Sequence, residues 1–301
     1  MIPADPGIIC FGEVLWDVFP THSRIGGAPL NVAARLASFG HEVTMLSAVG
    51  DDEAGEDILK FLEEQGIDSA LMKKHPLLPT GQVLVQLDHE GKATYEIVHP
   101  VAWDDIQKLD SLPGHFGSTA ILVYGSLASR DARTLATLRD LLPQVAYKVF
   151  DLNLRPPHYE YSLLQELMSA ANFVKFNDEE IEELSGVLGF KGDYESMAKA
   201  MADKFDLTTV CVTLGDNGAL LLHQDQVYRH GGFPVKVKDT VGAGDSFLAT
   251  LVSQLSRTND PDLSLKLACA MGALVASMDG ANPEVNREDL FNFLRASETK
   301  L

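Results

Sequence analysis

The sequence predicts an α/β fold in which a mostly parallel sheet carries helices on both faces. Two patterns point to it. Short, almost continuously apolar runs alternate along the chain with stretches of helical periodicity, as expected of strands buried on both sides. Polar or glycine residues follow the strand runs at Glu13, Gly125, Asn153 with Arg155, Asn177 and Gly215, and ligands of open α/β sheets bind beyond the carboxyl ends of strands.

The first strand is read at 8–11. Residues 14–25 interrupt the alternation as a strand-rich insertion. A helix follows over 29–39, with Pro29 at its first position and Gly40 just past its end, the ordinary punctuation of a helix. Residues 43–49 read as strand, 53–65 as helix, and 81–98 as an inserted hairpin turning at Asp88-His89-Glu90-Gly91. Strands at 120–124, 148–152, 173–176 and 210–214 then alternate with helices at 131–142, 161–171, 179–184 and 194–205. A second hairpin, 219–227, turns at Gln224-Asp225-Gln226, and the last helical patterns start near Ala243 and cover 267–278. One domain over 1–301 is expected, with insertions at about 14–25 and 81–98.

A net charge of −19 disfavours nucleic acid and anionic membranes as partners, because both require a basic face. A polyphosphate must then be received locally, by backbone dipoles, a few cations and Mg²⁺. Cys10, Cys211 and Cys269 are odd in number, widely spaced and set in apolar stretches, which reads as buried thiols of a cytoplasmic protein. The start of the chain lacks the basic and apolar regions of a secretory signal, and the apolar helix at 267–278 is too short to span a bilayer.

The most informative run is Asp239-Thr240-Val241-Gly242-Ala243-Gly244-Asp245-Ser246-Phe247. Apolar residues at Phe247, Leu248, Leu251, Val252 and Leu255 place a helix start near Ala243, so the glycine turn aims unpaired N–H groups and the positive end of the helix dipole at an anion. Asp245 would repel a resting phosphate. It is therefore read as facing the acceptor and taking a hydroxyl proton as general base, with Gly242, Ala243 and Gly244 stabilising a phosphoryl group in flight. A side chain at Gly244 is expected to crowd this turn. A dehydrogenase reading fails, since Gly242-Ala243-Gly244 lacks a third glycine and does not follow the first strand.

A second run, Gly26-Gly27-Ala28-Pro29-Leu30-Asn31-Val32-Ala33-Ala34-Arg35-Leu36-Ala37-Ser38-Phe39-Gly40, with Gly50 beyond it, resembles the amino-terminal signature of the ribokinase-like, or PfkB, sugar kinases. The 239–247 run resembles their carboxy-terminal signature, and the likeness extends from about Ile8 to Pro283. Within the family, Phe11-Gly12-Glu13-Val14-Leu15-Trp16-Asp17 and Asp151-Leu152-Asn153-Leu154-Arg155 look most like fructokinases. The resemblance implies a ribokinase-like, doubly wound, mostly parallel sheet with a small β lid over the sugar, formed by the two insertions and in some members also a dimer contact. It implies ATP-dependent phosphorylation of the primary hydroxyl of a neutral sugar, D-fructose to fructose 6-phosphate. Ribose, 2-keto-3-deoxygluconate or a nucleoside are the alternative substrates, and a non-catalytic sugar or nucleotide sensor is the competing class, against which Asp245 speaks.

Residue by residue, the resemblance assigns the sugar to Glu13, Asp17, Asn31, Arg155 and Asp245, with Gly26 and Gly27 allowing close backbone approach. Glu13 is equally readable as a structural acceptor and Arg155 as one half of a salt bridge. ATP falls to Asn177, Glu180, Thr213, Gly215, Gly218, Gly242 and Gly244, and Glu180 faces Mg²⁺ through water. Cys269 stands where relatives often carry the Asn that meets adenine, and Tyr159 where they carry Trp. Asp239, the Val241 carbonyl and backbone near Ser277 and Gly280 correspond to a monovalent-cation site, for K⁺. From Gly81 to Asp105 the firmly charged cation is Lys92, with Arg24 in the other insertion.

Overall fold

The computed structural model describes residues 2–3, 7–87, 93–112, 120–258, 260–285 and 287–298. The chain runs through β1 (Ile8–Phe11), β2 (Leu15–Val18), β3 (Ser23–Gly26), α1 (Ala28–Ser38), β4 (Val43–Gly50), α2 (Glu53–Glu64), β5 (Met72–His75), β6 (Gly81–Leu87) and β7 (Ala93–Ile97). It continues through β8 (Ile121–Gly125), α3 (Ala132–Leu141), β9 (Tyr147–Asp151), α4 (Tyr161–Ala170), β10 (Phe173–Asn177), α5 (Asp178–Leu188), α6 (Tyr194–Phe205) and β11 (Thr209–Thr213). The last elements are β12 (Ala219–His223), β13 (Gln226–His230), α7 (Ala243–Arg257), α8 (Pro261–Ala276) and α9 (Arg287–Glu298).

Among the described residues nine strands form one sheet in the order β13-β12-β11-β10-β9-β8-β1-β4-β5. All neighbours pair in parallel except at the β11-β12-β13 edge, where the hairpin read from the sequence adds two antiparallel strands. Its turn is Gln224-Asp225, both residues at positive φ, the geometry that lets a two-residue connection follow the twist of its strands. Successive residues of β1 explain the two helix layers. Ile9 and Phe11 pack with α3, α4, α5 and α6, while Ile8 and Cys10 pack with α1, α2, α7 and α8. Each large side chain so buried contributes about 1.5–3 kcal/mol relative to exposure.

The two insertions meet in a separate four-stranded sheet, β3-β2-β6-β7, in which β2 pairs with β6 in parallel. The turn at 88–91 and Lys92 lie outside the described residues. Two elements, β5 and α9, were not read from the sequence, and α8 was read short. β5 is an edge strand whose Lys73 and Lys74 face water, so it lacks an apolar run. α8 begins earlier than its apolar stretch, with Asp260 accepting from the Leu263 N–H at 3.0 Å and Pro261 at its first position. α9 packs Leu290 and Leu294 against Leu267 and Met271 of α8, a short amphipathic contact at the end of the chain.

Candidate active site

Helix α7 packs along α1, and this contact joins the two distant signatures. Gly242 caps α7 in the left-handed region at φ 75, and its carbonyl oxygen accepts from the Ser246 N–H at 2.8 Å. A side chain there would strike the backbone carbonyl of Ala281, so this position requires glycine on two counts. Gly244 differs from expectation: a Cβ would meet only the Lys175 Nζ, at 3.8 Å, because the turn is closed from the Gly242 side. The Ala243 N–H turns back to the Thr240 carbonyl at 3.2 Å, which leaves the N–H groups of Gly244 and Asp245 as the first donors at the helix mouth.

Asp245, in the first turn of α7, accepts from Asn31 Nδ2 at 2.8 Å through Oδ2. Asn31 Oδ1 in turn accepts from Asn282 Nδ2 at 2.6 Å, so a chain of amides fixes which way Asn31 points. Burial, then Asp151, push the Asp245 pKa up to about 6 against the opposing effects of Asn31, Lys175 and Arg155. A carboxylate with that pKa is ionised at neutral pH and still basic enough to accept a hydroxyl proton in a transition state.

Two more carboxylates feel the charge of Arg155 that acts on Asp245. Glu13, directly after β1, is buried. Its carboxylate is met by its own N–H and that of Ala28 at the start of α1, while Oε2 has no partner, and burial raises its pKa to about 7. Asp17 on β2 is raised to about 6, by burial more than by Asp239 and against the charge of Arg155. Gly26 leaves room for it, since a Cβ at that position would lie 2.6 Å from Asp17 Oδ2. Gly27, at φ 114, touches the Glu13 backbone in the same way. Arg155 is exposed beyond β9, donates to the Leu154 carbonyl at 2.9 Å, and its charge acts on all three carboxylates.

Across the sheet the polar side chains read as nucleotide ligands are already satisfied. Asn177 and Glu180 form a reciprocal cap at the start of α5, each side chain accepting from the other's N–H at 2.8 Å. The second Glu180 oxygen accepts from the Leu154 N–H at 2.8 Å, and Glu179 beside it is exposed. The Thr213 hydroxyl donates to the Phe176 carbonyl at 3.3 Å. Gly215 and Gly218 turn the chain at φ 57 and 82 between β11 and β12. Cys269 lies in the core cluster with Leu221 and Phe247, and burial lifts its thiol to about 12.

A sequence profile described as "pfkB family carbohydrate kinase" matches residues 1–287. The chain belongs to that family. It is 30% identical over 289 residues to a fructokinase of Klebsiella pneumoniae, covering 90% of this chain and 93% of the relative. It is 27% identical over 289 residues to an aminoimidazole riboside kinase of Salmonella typhimurium, covering 91% and 88%. Its fold matches a double mutant of fructokinase from Vibrio cholerae O395 in fructose-, ADP- and potassium-bound form, with a TM-score of 0.81, 29% identity, and 97% and 99% of the two chains covered. The molecule is thus an ATP-dependent sugar kinase with the ribokinase-like fold, and sugar and ATP are its small-molecule partners.

For this kinase the fit of each metal is decided by donor sets. Among the described residues no three acidic, His or Cys side chains cluster in a way that would hold an ion. Glu180 fits an outer-sphere role toward Mg²⁺, since both its oxygens accept N–H groups and keep further lone pairs. Asp239 does not fit K⁺ as a first neighbour. Three donors converge on its carboxylate: Val241 N–H at 3.0 Å, Gly280 N–H at 3.1 Å and Arg24 Nη1 at 3.2 Å.

Sequence reasoning missed two further groups. Lys175 Nζ donates to Asp151 Oδ1 at 2.7 Å beneath the helix mouth, both side chains being buried. Burial opposes the ammonium charge, but Asp151, Glu180 and Asp245 outweigh it and raise the Lys175 pKa. A charged residue inside the apolar run Phe173-Val174-Lys175-Phe176 was the available signal. Arg35 is the other, donating to Ser246 Oγ at 3.3 Å, Pro283 O at 2.9 Å and Val285 O at 3.2 Å. It ties α1, α7 and the loop carrying Asn282 into one unit, and nothing in its helical position signals that.

Proposed function

We propose that this kinase transfers the γ-phosphoryl group of ATP to the primary hydroxyl of a neutral sugar, D-fructose, giving fructose 6-phosphate. The observation that carries the reading is the Asn282-Asn31-Asp245 chain at the mouth of α7. It brings the base, an amide of the sugar signature and free helix N–H groups together from three remote parts of the sequence.

In this reading Glu13, Asp17 and Asn31 hold sugar hydroxyls, and the unpartnered Glu13 Oε2 is the acceptor left open for one of them. Asp245 accepts the proton of the attacking hydroxyl. The N–H groups of Gly242 and Gly244, with Arg155 and the buried Lys175, stabilise charge on the phosphoryl oxygens, while the Ala243 N–H stays with the Thr240 carbonyl. Thr213, Gly215 and Gly218 shape the nucleotide's seat, with Asn177, Glu180 and Cys269 behind it. Glu180 would hold Mg²⁺ through water, and the ion would there supply positive charge to the ATP phosphates. The β3-β2-β6-β7 sheet serves as the lid, excluding water that would otherwise hydrolyse ATP.

Charge supports a neutral substrate. Glu13, Asp17 and Asp245 line the cleft, Arg24 is spent on Asp239, and Arg155 alone among the described residues named here remains to meet a second anion. The test is phosphosugar formation with ATP and Mg²⁺ over fructose, ribose, aminoimidazole riboside, 2-keto-3-deoxygluconate and fructose 1- and 6-phosphates. Fructose is expected to give the highest kcat/KM. Higher turnover of any other member would overturn the fructose assignment and leave the family assignment untouched.

A further inference from the structure

Asp239 opens the loop that delivers Gly242 to the head of α7. Its own backbone is docked on the end of α8, with the Lys238 and Asp239 N–H groups donating to Ala276 O at 2.9 and 3.3 Å. The carboxylate then braces two turns at once, the Val241 N–H through Oδ1 and the Gly280 N–H through Oδ2. A carboxylate so placed carries a full negative charge a few residues from where phosphoryl oxygens must sit, so a positive partner is needed for the turn to receive an anion. In this chain that partner is a side chain. Arg24, 215 residues earlier, reaches across from β3 to place Nη1 3.2 Å from Asp239 Oδ2. The same Nη1 lies 3.2 Å from where a Cβ on Gly280 would be, so the guanidinium fills the space between the two turns.

We propose that Arg24 takes the seat of the monovalent cation at Asp239, supplying from β3 the positive charge that holds the Gly242 turn, so that turnover does not depend on K⁺. A second cation sharing the carboxylate would be repelled by the guanidinium, and three donors already take up its two oxygens. Arg24 acts through Asp239 and touches no reacting atom; it is a positioning residue. It also couples the two halves of the site. In the β2-β3 pairing Arg24 stands opposite Asp17, two residues before Gly26, so displacement of this strand changes the charge at the turn.

This inference rests on the kinase reading, and its test has one readout that does not. Native protein, Arg24→Ala and Arg24→Lys are compared in potassium and tetramethylammonium chloride at equal ionic strength, by melting temperature and by phosphosugar formation. The native protein is expected to show the same melting temperature in both salts and kcat values within about twofold. Arg24→Ala is expected to lose about tenfold in kcat in tetramethylammonium, to regain most of it in K⁺, and to gain a K⁺-dependent rise in melting temperature. Arg24→Lys, which keeps the charge, is expected to follow the native protein. Activation and thermal stabilisation of the native protein by K⁺, or full activity of Arg24→Ala in tetramethylammonium, would overturn the proposal. If Arg24→Ala does not fold, the native protein and Arg24→Lys decide the matter alone. If no sugar is phosphorylated, the kinase reading fails separately, while the melting temperatures still report whether K⁺ binds.

Discussion

The β1-β3 and α1 side of the cleft and the β10-β12 side are built on opposite plans. On the first, Glu13 leaves a buried oxygen unpartnered, and Glu13, Asp17 and Asp245 all sit well above the ordinary carboxylate pKa because burial works against their charge. On the second, Asn177 and Glu180 satisfy each other, Leu154 takes the remaining Glu180 oxygen, and the chain is turned by Gly215 and Gly218. Polar groups held unpaired at a cost in stability are groups prepared for a ligand. Groups already paired hold shape, and what they present is backbone. Substitutions on the first side should therefore change chemistry, and on the second, Lys175 and Glu180 apart, they should be tolerated wherever the backbone path survives.

Asp245→Asn is the strongest way to break this contrast. The amide keeps the contact with Asn31 but cannot accept a proton, so kcat is expected to fall on the order of 10²-fold or more in steady-state assays, with ATP affinity by calorimetry little changed. Stability should move the other way. Because the folded pKa of Asp245 is raised to about 6, this group's contribution to stability is present at low pH and lost as pH rises through that value. At about pH 8 the neutral variant is expected to melt no lower than the native protein.

The glycine turn supplies the next contrast, within three residues. Gly242→Ala forces a Cβ into the Ala281 carbonyl at a positive φ, and kcat is expected to drop about tenfold or more with a lower melting temperature. Gly244→Ala meets only Lys175 and is expected to stay within about threefold of native kcat. Equal losses at both positions would show that the turn is not closed from the Gly242 side.

Substrate charge sharpens the comparison further. Neutral fructose is expected to exceed 2-keto-3-deoxygluconate and the fructose phosphates by at least about tenfold in kcat/KM, or roughly 1.4 kcal/mol, in direct competition. On the β10-β12 side the smallest effect is expected. Cys269→Ala removes a thiol that packs in the core, and the KM for ATP should change by less than about threefold while stability falls by about 1 kcal/mol.

What could be read from the sequence follows the same division. The central strands were legible because burial on both faces leaves them almost wholly apolar, and the two signatures were legible because their glycines and carboxylates occur as continuous runs. β5 was not, since an edge strand with Lys73 and Lys74 in water carries no apolar pattern. Asp17, Asn31 and Asp245 were read as site residues individually. Their wiring was not legible, because Asn31 meets Asp245 across 214 positions and Arg24 meets Asp239 across 215, and no local pattern encodes such pairings. Lys175 and Asp151 left a trace as charges in buried strands, which local reading absorbed into the runs around them.

The central claim is that Asp245 works as a base with a pKa set by its burial. The direct measurement is kcat against pH at saturating sugar and ATP, for the native protein and Asp245→Asn, over about pH 5 to 9. The base must be deprotonated to act, so native kcat is expected to rise with pH through a single-proton limb at or above about 6 and then level off. In Asp245→Asn the residual rate should lack that limb. A native kcat that is flat across the range, or the same limb persisting in Asp245→Asn, would contradict the assignment.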